Sequence, residues 1–268
     1  MKKILDFTLF ISFILLFCVF SFAGKSIKTS SKTFADVTAS ELEIQEYQEL
    51  EHGIFTSISP IEENEFESKE ADTIPKSNYT VVIDAGHGGP DPGSIGFKTK
   101  VHEADLNLKF SKLLKNKLES AGIAVIMTRE TEDALAEGRG KAFKKRDMQM
   151  RKDIIKKVRP NMVVSIHQNS FTNHTLRGAQ VFYDKTSDIS KQIAELIQTE
   201  FKKQLNHANK SISPGDYYML KCTAAPSVII ECGFLSHEDE EKLLQTDEYA
   251  EKIIDSIYFG IINFLQAK

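Results

Sequence analysis

A chain of 268 residues, 41% hydrophobic and 27% charged, has globular composition and is long enough for one substantial core plus extra segments, which excludes a fibrous or low-complexity protein. Its formal net charge of −4 is unevenly spread: residues 1–40 carry +3, residues 41–72 carry −10, and the remainder carries +3. That last excess tolerates an anionic polymer but excludes a dedicated nucleic-acid binder.

Lys2 and Lys3 precede an uncharged run of seventeen residues, Phe7 to Ala23, which closes on the small-x-small triplet Ser21-Phe22-Ala23. A positive flank, an apolar run and a small-residue exit, in that order, read as an export signal cleaved after Ala23. The run also sits at the short edge of a membrane span, so residues 1–23 read as either a signal peptide or a retained anchor. Both readings place the rest of the chain outside the cytoplasm, secreted or anchored, with the membrane touched only through this segment. Residues 24–78, rich in Ser, Thr and Glu, read as a flexible acidic linker with at most one short helix in Glu41–Glu51. The folded unit is expected to span residues 79–268.

Within it, Tyr79–Asp84 is a short apolar run ending at a glycine cluster, the pattern of a buried strand. Glu103–Ala121 repeats Leu106, Phe110, Leu113, Leu114 and Leu118 at helical spacing and stops at Gly122. Ile123–Thr128 reads as a second strand, Asp147–Val158 as a helix ended before Pro160, and Met162–Ile166 as a third strand. A fourth strand, Ala179–Tyr183, precedes a helix over Ser187–Leu205. Tyr217–Leu220 and Ser227–Glu231 read as further strands, and Glu248–Leu265 as a closing helix with a stripe of Ile253, Ile254, Ile257, Ile261 and Leu265. Strands alternating with helices predict an α/β fold: a single three-layer domain with a mostly parallel central sheet flanked by helices. The three cysteines form no disulfide framework, and Cys222 and Cys232 read as small apolar residues in or near strands.

The polar residues collect where strands end. Tyr79–Asp84 runs into Ala85-Gly86-His87-Gly88-Gly89, Met162–Ile166 into His167-Gln168-Asn169, and Ser227–Ile230 into Glu231, while Glu103 opens the first long helix. In such sheets the active crevice lies outside the carboxyl ends of the strands, so these four side chains are expected at one edge. Two imidazoles and a carboxylate, with one position left open, make a recurrent catalytic zinc set. His87, Glu103 and His167 can supply that set, and Glu231, ending an apolar run where a carboxylate needs a partner, can serve as acid and base. Taken singly, each residue has a plainer role: a His after a strand often caps or faces solvent, and a Glu at a helix start complements the helix dipole. His102 is a competing ligand by position, and His52, His174, His207 and His237 lie in polar stretches. The loop Gly86–Gly96 lacks the Lys-Ser/Thr of a phosphate loop, and Ser165 stands outside any serine elbow.

The segments Val81–Gly96 (VVIDAGHGGPDPGSIG), Glu103-Ala-Asp-Leu-Asn-Leu, Thr128-Arg129, Arg151, Ser165–Asn169 (SIHQN) and Pro226–Ser236 (PSVIIECGFLS) together resemble the zinc-dependent N-acetylmuramoyl-L-alanine amidases. The resemblance covers residues 79 to 266 and implies Zn2+ on His87, Glu103 and His167, with Glu231 as the catalytic glutamate. It further implies hydrolysis of the amide between N-acetylmuramic acid and L-alanine in peptidoglycan. The short stretch before Tyr217 and the Tyr-Tyr-Met-Leu-Lys run resemble the germination-specific subgroup that helps form muramic δ-lactam in spore cortex, some of which need a lipoprotein activator. Two residues depart from the family pattern: His237 stands where Asn is frequent, and Gln168 where a small residue is common. The competing readings are a zinc peptidase acting on the stem peptide and a non-catalytic wall-binding module, the latter disfavoured because all four site residues are present.

Overall fold

The computed structural model describes residues 78–208 and 211–267. The export segment, most of the linker and the Glu41–Glu51 helix expected from sequence lie outside the described residues. Among those described, no helix is long and apolar enough to cross a membrane.

Six strands make one sheet: β1 (Thr80–Ala85), β2 (Ala124–Met127), β3 (Met162–Asn169), β4 (Gln180–Tyr183), β5 (Ser213–Pro214) and β6 (Ser227–Phe234). Their order is β2-β1-β3-β6-β4-β5. β2, β1, β3 and β6 run parallel, and β4 pairs antiparallel with β6. The central strands read as nearly unbroken apolar runs because both their faces are covered. On one face lie α1 (Glu103–Ser120), α3 (Asp188–Gln204) and α6 (Asp247–Gln266). Phe110 and Leu114, Ile197 and Phe201, and Ile257 and Ile261 from these helices bury Val81, Ile83, Val164, Ile166 and Ile230. On the other face α2 (Gly140–Val158) and α4 (Tyr218–Lys221) cover Val82, Val163 and Ile229 with Ile155, Met219 and Leu220. The result is the expected three-layer α/β fold.

Helix ends follow their sequence signals. α1 closes where Gly122 takes φ +78°, with Gly122 N–H donating to Glu119 O and Ile123 N–H to Leu118 O, a paired arrangement that satisfies the last carbonyls. α3 is capped by the Ser187 hydroxyl and α6 by that of Thr246.

Four elements differ from the sequence expectation. Tyr217–Leu220, expected as a strand, contributes instead to the single helical turn α4; a four-residue apolar stretch carries too little periodicity to separate the two. α2 begins at Gly140 rather than Asp147. Its buried face is Phe143, Asp147, Arg151 and Ile155, so half of the residues that mark it are charged and the apolar period vanishes. The short α5 (Glu238–Leu244) and β5 were not expected at all; in α5 only Leu243 and Leu244 are apolar. Cys222 and Cys232 are both free thiols.

Candidate active site

β1 ends at Ala85, and the chain turns through Gly86, His87, Gly88 and Gly89. His87 has φ +61°, a left-handed conformation that costs a non-glycine residue about 1–2 kcal/mol. Two buried guanidiniums hold it there. Arg151 donates from Nη1 to Ala85 O at 2.7 Å and from Nη2 to His87 O at 2.6 Å. Arg129 donates from Nη2 to Gly86 O at 3.0 Å and to Ala104 O at 2.9 Å, tying the turn to the start of α1. Three consecutive carbonyls are thus fixed from below. The charge of Arg151 is met by Asp84 at 2.8 Å and Asp147 at 2.7 Å. Burial alone would raise the pKa of Asp84; the Arg151 charge and hydrogen bonds from Ser165, Thr128 and Arg151 itself outweigh it and hold the carboxyl at about 2.

Above this base, His87, Glu103 and His167 bring ligand atoms within 4.8 Å of one another. His167 Nδ1 donates to Glu103 Oε1 at 2.9 Å, and His87 Nε2 lies 3.2 Å from the same oxygen. Glu103 Oε2 accepts from Ser94 N–H at 2.7 Å, and Oε1 accepts from Asn107 Nδ2 at 3.3 Å, so the carboxylate is aimed from both sides. Burial opposes its charge, but the two imidazoles pull its pKa far below the usual carboxylate range. His87 Nδ1 donates to Asp91 Oδ2 at 3.0 Å, which leaves Nε2 facing the cluster. Asp91 is itself paired with Lys144 at 3.1 Å.

Glycines keep this space open. A Cβ on Gly86 would stand 2.3 Å from His167 Cε1 and 2.4 Å from Nε2. One on Gly93, at φ +68°, would stand 2.6 Å from Glu103 Oε2 and 2.8 Å from His87 Cδ2. Two imidazole nitrogens and a carboxylate oxygen in a space cleared of side chains fit a zinc ion with an open position.

Glu231 lies opposite His167 across the β3–β6 pair. Its Oε2 is sealed from solvent and has no hydrogen-bond partner among the described residues. Burial, reinforced by the negative Glu103 and only partly offset by His167 and His87, pushes its pKa up to about 7. A cleft of about 230 Å3 opens over the cluster, lined by His87, His167, Lys144, Tyr217, Tyr218 and Ile229 among others.

The four side chains singled out from the sequence therefore meet at the carboxyl edge of the sheet, delivered by β1, the start of α1, β3 and β6. His102 does not join them: it is exposed at the N-cap of α1. The Ser165 hydroxyl donates to Asp84 Oδ2 at 2.6 Å and is committed there. His237 caps α5 through its ring, accepting from the N–H groups of Asp239 and Glu240. Gln168 is buried beside Asn107, on the opposite face of β3 from His167, so this departure does not enter the groove. Sequence reasoning missed Asp91 as the orienter of His87, and it named Arg129 and Arg151 only among the residues that carry the resemblance, without their role as the base of the site. The four-residue spacing from His87 to Asp91 was the available signal for the first. The partners of the second lie scattered along the chain.

Comparison with known proteins follows the same lines. The family profile described as N-acetylmuramoyl-L-alanine amidase matches residues 81–263. The germination-specific N-acetylmuramoyl-L-alanine amidase of Bacillus subtilis strain 168 is 32% identical over 200 residues, 73% of this chain and 84% of that protein. Among solved structures, the CwlD amidase from Clostridioides difficile, in complex with the GerS lipoprotein, superposes with a TM-score of 0.69 at 40% identity, covering 71% of this chain and all (100%) of that one. The catalytic domain of CwlV, an N-acetylmuramoyl-L-alanine amidase from Paenibacillus polymyxa var. colistinus, gives a TM-score of 0.63 at 27% identity, covering 71% and 99%.

Proposed function

Because the chain belongs to the N-acetylmuramoyl-L-alanine amidase family, we propose that His87, Glu103 and His167 hold a catalytic zinc ion and that Glu231 carries the proton during hydrolysis. The bond cut is the amide joining N-acetylmuramic acid to L-alanine in peptidoglycan.

Bound at the cluster, zinc supplies Lewis acidity toward a carbonyl and toward water. The chain's own residues do the rest. Asp91 fixes the His87 tautomer, and Ser94 and Asn107 fix Glu103, so the ligand set is oriented before an ion arrives. Glu231 accepts the proton of the attacking water and returns it to the departing alanine amine. The observation that carries this role is its unpartnered, solvent-shielded Oε2 beside the cluster. A buried carboxylate oxygen without a partner costs stability, and proton transfer is the use that accounts for it here. The cleft over the cluster leaves His87 and His167 partly exposed, so substrate can reach them.

The relatedness to a germination-specific enzyme supports a role on spore cortex. The CwlD–GerS complex supports a lipoprotein partner for this chain as well. Residues 1–23 as a signal or anchor and 24–78 as a linker would place the domain 79–268 outside the cytoplasm, at the wall. Digesting purified peptidoglycan with and without a chelator, and with a candidate lipoprotein, tests the reading. New amino termini that are all L-alanine, and that vanish on chelation, are expected; termini inside the stem peptide would make the chain a peptidase instead.

A further inference from the structure

Two hollows open along one seam, between α2 and the stretch from Tyr217 to Pro226. The first is the cleft over the cluster, walled by Lys144 and Met148 on one side and Tyr217–Met219 on the other. The second, of about 430 Å3, lies further along the same helix, between Ile155, Lys156 and Arg159 and the facing residues Thr223–Pro226. Lys144 and Lys156 are twelve residues apart, so the hollows are separated by roughly 18 Å of helix, the reach of about five or six extended residues.

A row of cations follows the seam. Lys141, Lys145, Lys152, Lys156 and Arg159 are spaced by four, seven, four and three residues. Those intervals confine them to an arc of roughly 60° around the helix, next to the positions that line the cleft. Among the described residues, α2 forms ion pairs only through Lys144 and Arg151, so this row has no carboxylate of its own. Lys152 and Lys156 are close enough to Cys222, across the seam, to act on its thiol. The row works against the helix: Lys141 with Lys145 and Lys152 with Lys156 are like charges four residues apart, and the first turn holds no acid to complement the dipole. Lys156 and Arg159 suit the negative end of the helix dipole, but helix stability gives no reason for Lys141, Lys145 and Lys152, whereas an anionic ligand lying in the seam does.

Building on the amidase reading, we propose that this seam is the peptide subsite. The stem peptide leaves the scissile amide at the cluster and runs down between α2 and Tyr217–Pro226. Its terminal carboxylate is bound in the second hollow by Lys156 and Arg159, which line it, with Lys152 one turn before them in the same row, through charge-assisted hydrogen bonds. The enzyme thereby measures the length of the stem it releases.

The test uses the zinc-loaded full chain and synthetic muramoyl peptides with stems of two and five residues, measured by calorimetric titration and by chromatography of released peptide. The wild type is expected to bind the five-residue stem about tenfold more tightly, as one charged hydrogen-bonding contact supplies. In Lys152→Gln/Lys156→Gln/Arg159→Gln that ratio falls to near one, and amidating the end of the longer stem has the same effect on the wild type. Lys191→Gln, on α3, keeps the wild-type ratio. A triple variant that still prefers the long stem, or an amidated stem bound as well as the acid, overturns the proposal. Both stems cut but bound equally by the wild type removes the subsite and leaves the amidase standing. A tenfold ratio with neither stem cut leaves the subsite and removes the amidase. No binding and no cleavage refutes both.

Discussion

Asp91 bonds to His87 and Glu231 pairs in register with His167; the two do different work, so their removal separates chemistry from metal binding. Glu231→Gln keeps the shape but cannot take a proton: turnover is expected to fall about 10²–10⁴-fold, with zinc still bound at about one ion per chain by elemental analysis. Asp91→Asn leaves every ligand in place but loosens the His87 tautomer, and is expected to weaken zinc binding about 10–100-fold in competition with a chelator. Equal loss of metal in both variants would mean that the two roles are not distinct. His87, His167 and Glu231 were legible in the sequence because each follows an apolar run that forms a strand, His167 and Glu231 lying within the carboxyl-terminal half of theirs, and topology sends such residues to one edge. Glu103, first residue of a helix, was legible only beside them. Asp91 was not, because an acid in a Gly-Pro-rich loop has many plain uses, and its role depends on the left-handed turn at His87.

At the scale of elements, the sheet and its larger helices are specified by apolar period, and the exceptions share one cause. α2 hides half of its buried face behind Asp147 and Arg151, so its pattern could be read only from the half that follows Asp147. Those same charges form the base of the site, and their energetics are testable. Asp84 titrates at about 2 when folded, below the roughly 3.9 of an unfolded Asp. The unfolded chain therefore binds the proton first as pH falls. The contribution, about 2–3 kcal/mol, is complete above pH ~4 and is lost as pH drops toward ~2. Denaturant melts of the wild type should lose that stability across this window. Asp84→Asn should be destabilised by about 3–5 kcal/mol at neutral pH, because Arg151 loses a buried partner, and should show a shallower acid slope. An equal slope in both proteins would exclude Asp84 as the titrating group. On the opposite layer, a Cβ at Gly260 of α6 would stand 2.7 Å from Ile197 Cα of α3. Gly260→Ala gains at most about 1 kcal/mol in helix propensity and loses about 1–3 kcal/mol by overpacking. A net loss of stability in the same melts is expected; a gain would mean that the two helices part freely.

For the molecule as a whole, the strand order β2-β1-β3-β6-β4-β5 puts β1, β3 and β6 side by side at the centre. Residues far apart in sequence are thereby delivered to one edge, and the rigid sheet supplies the geometry. The sequence indicated this architecture through its alternation of strands and helices, but could not show the seam beside α2, which exists only once the Tyr217–Pro226 stretch folds back as a helical turn. The proposed division of the chain implies that residues 79–268 melt cooperatively and release L-alanine termini as the full chain does; a fragment that fails to fold would place part of the core upstream. The most direct measurement is an anomalous diffraction map of the zinc-loaded protein collected at the zinc edge. One peak is expected, bonded to His87, Glu103 and His167 at about 2.0–2.2 Å, with Glu231 nearby but outside its coordination sphere. A peak elsewhere, or one that draws Glu231 in as a ligand, would contradict the assignment.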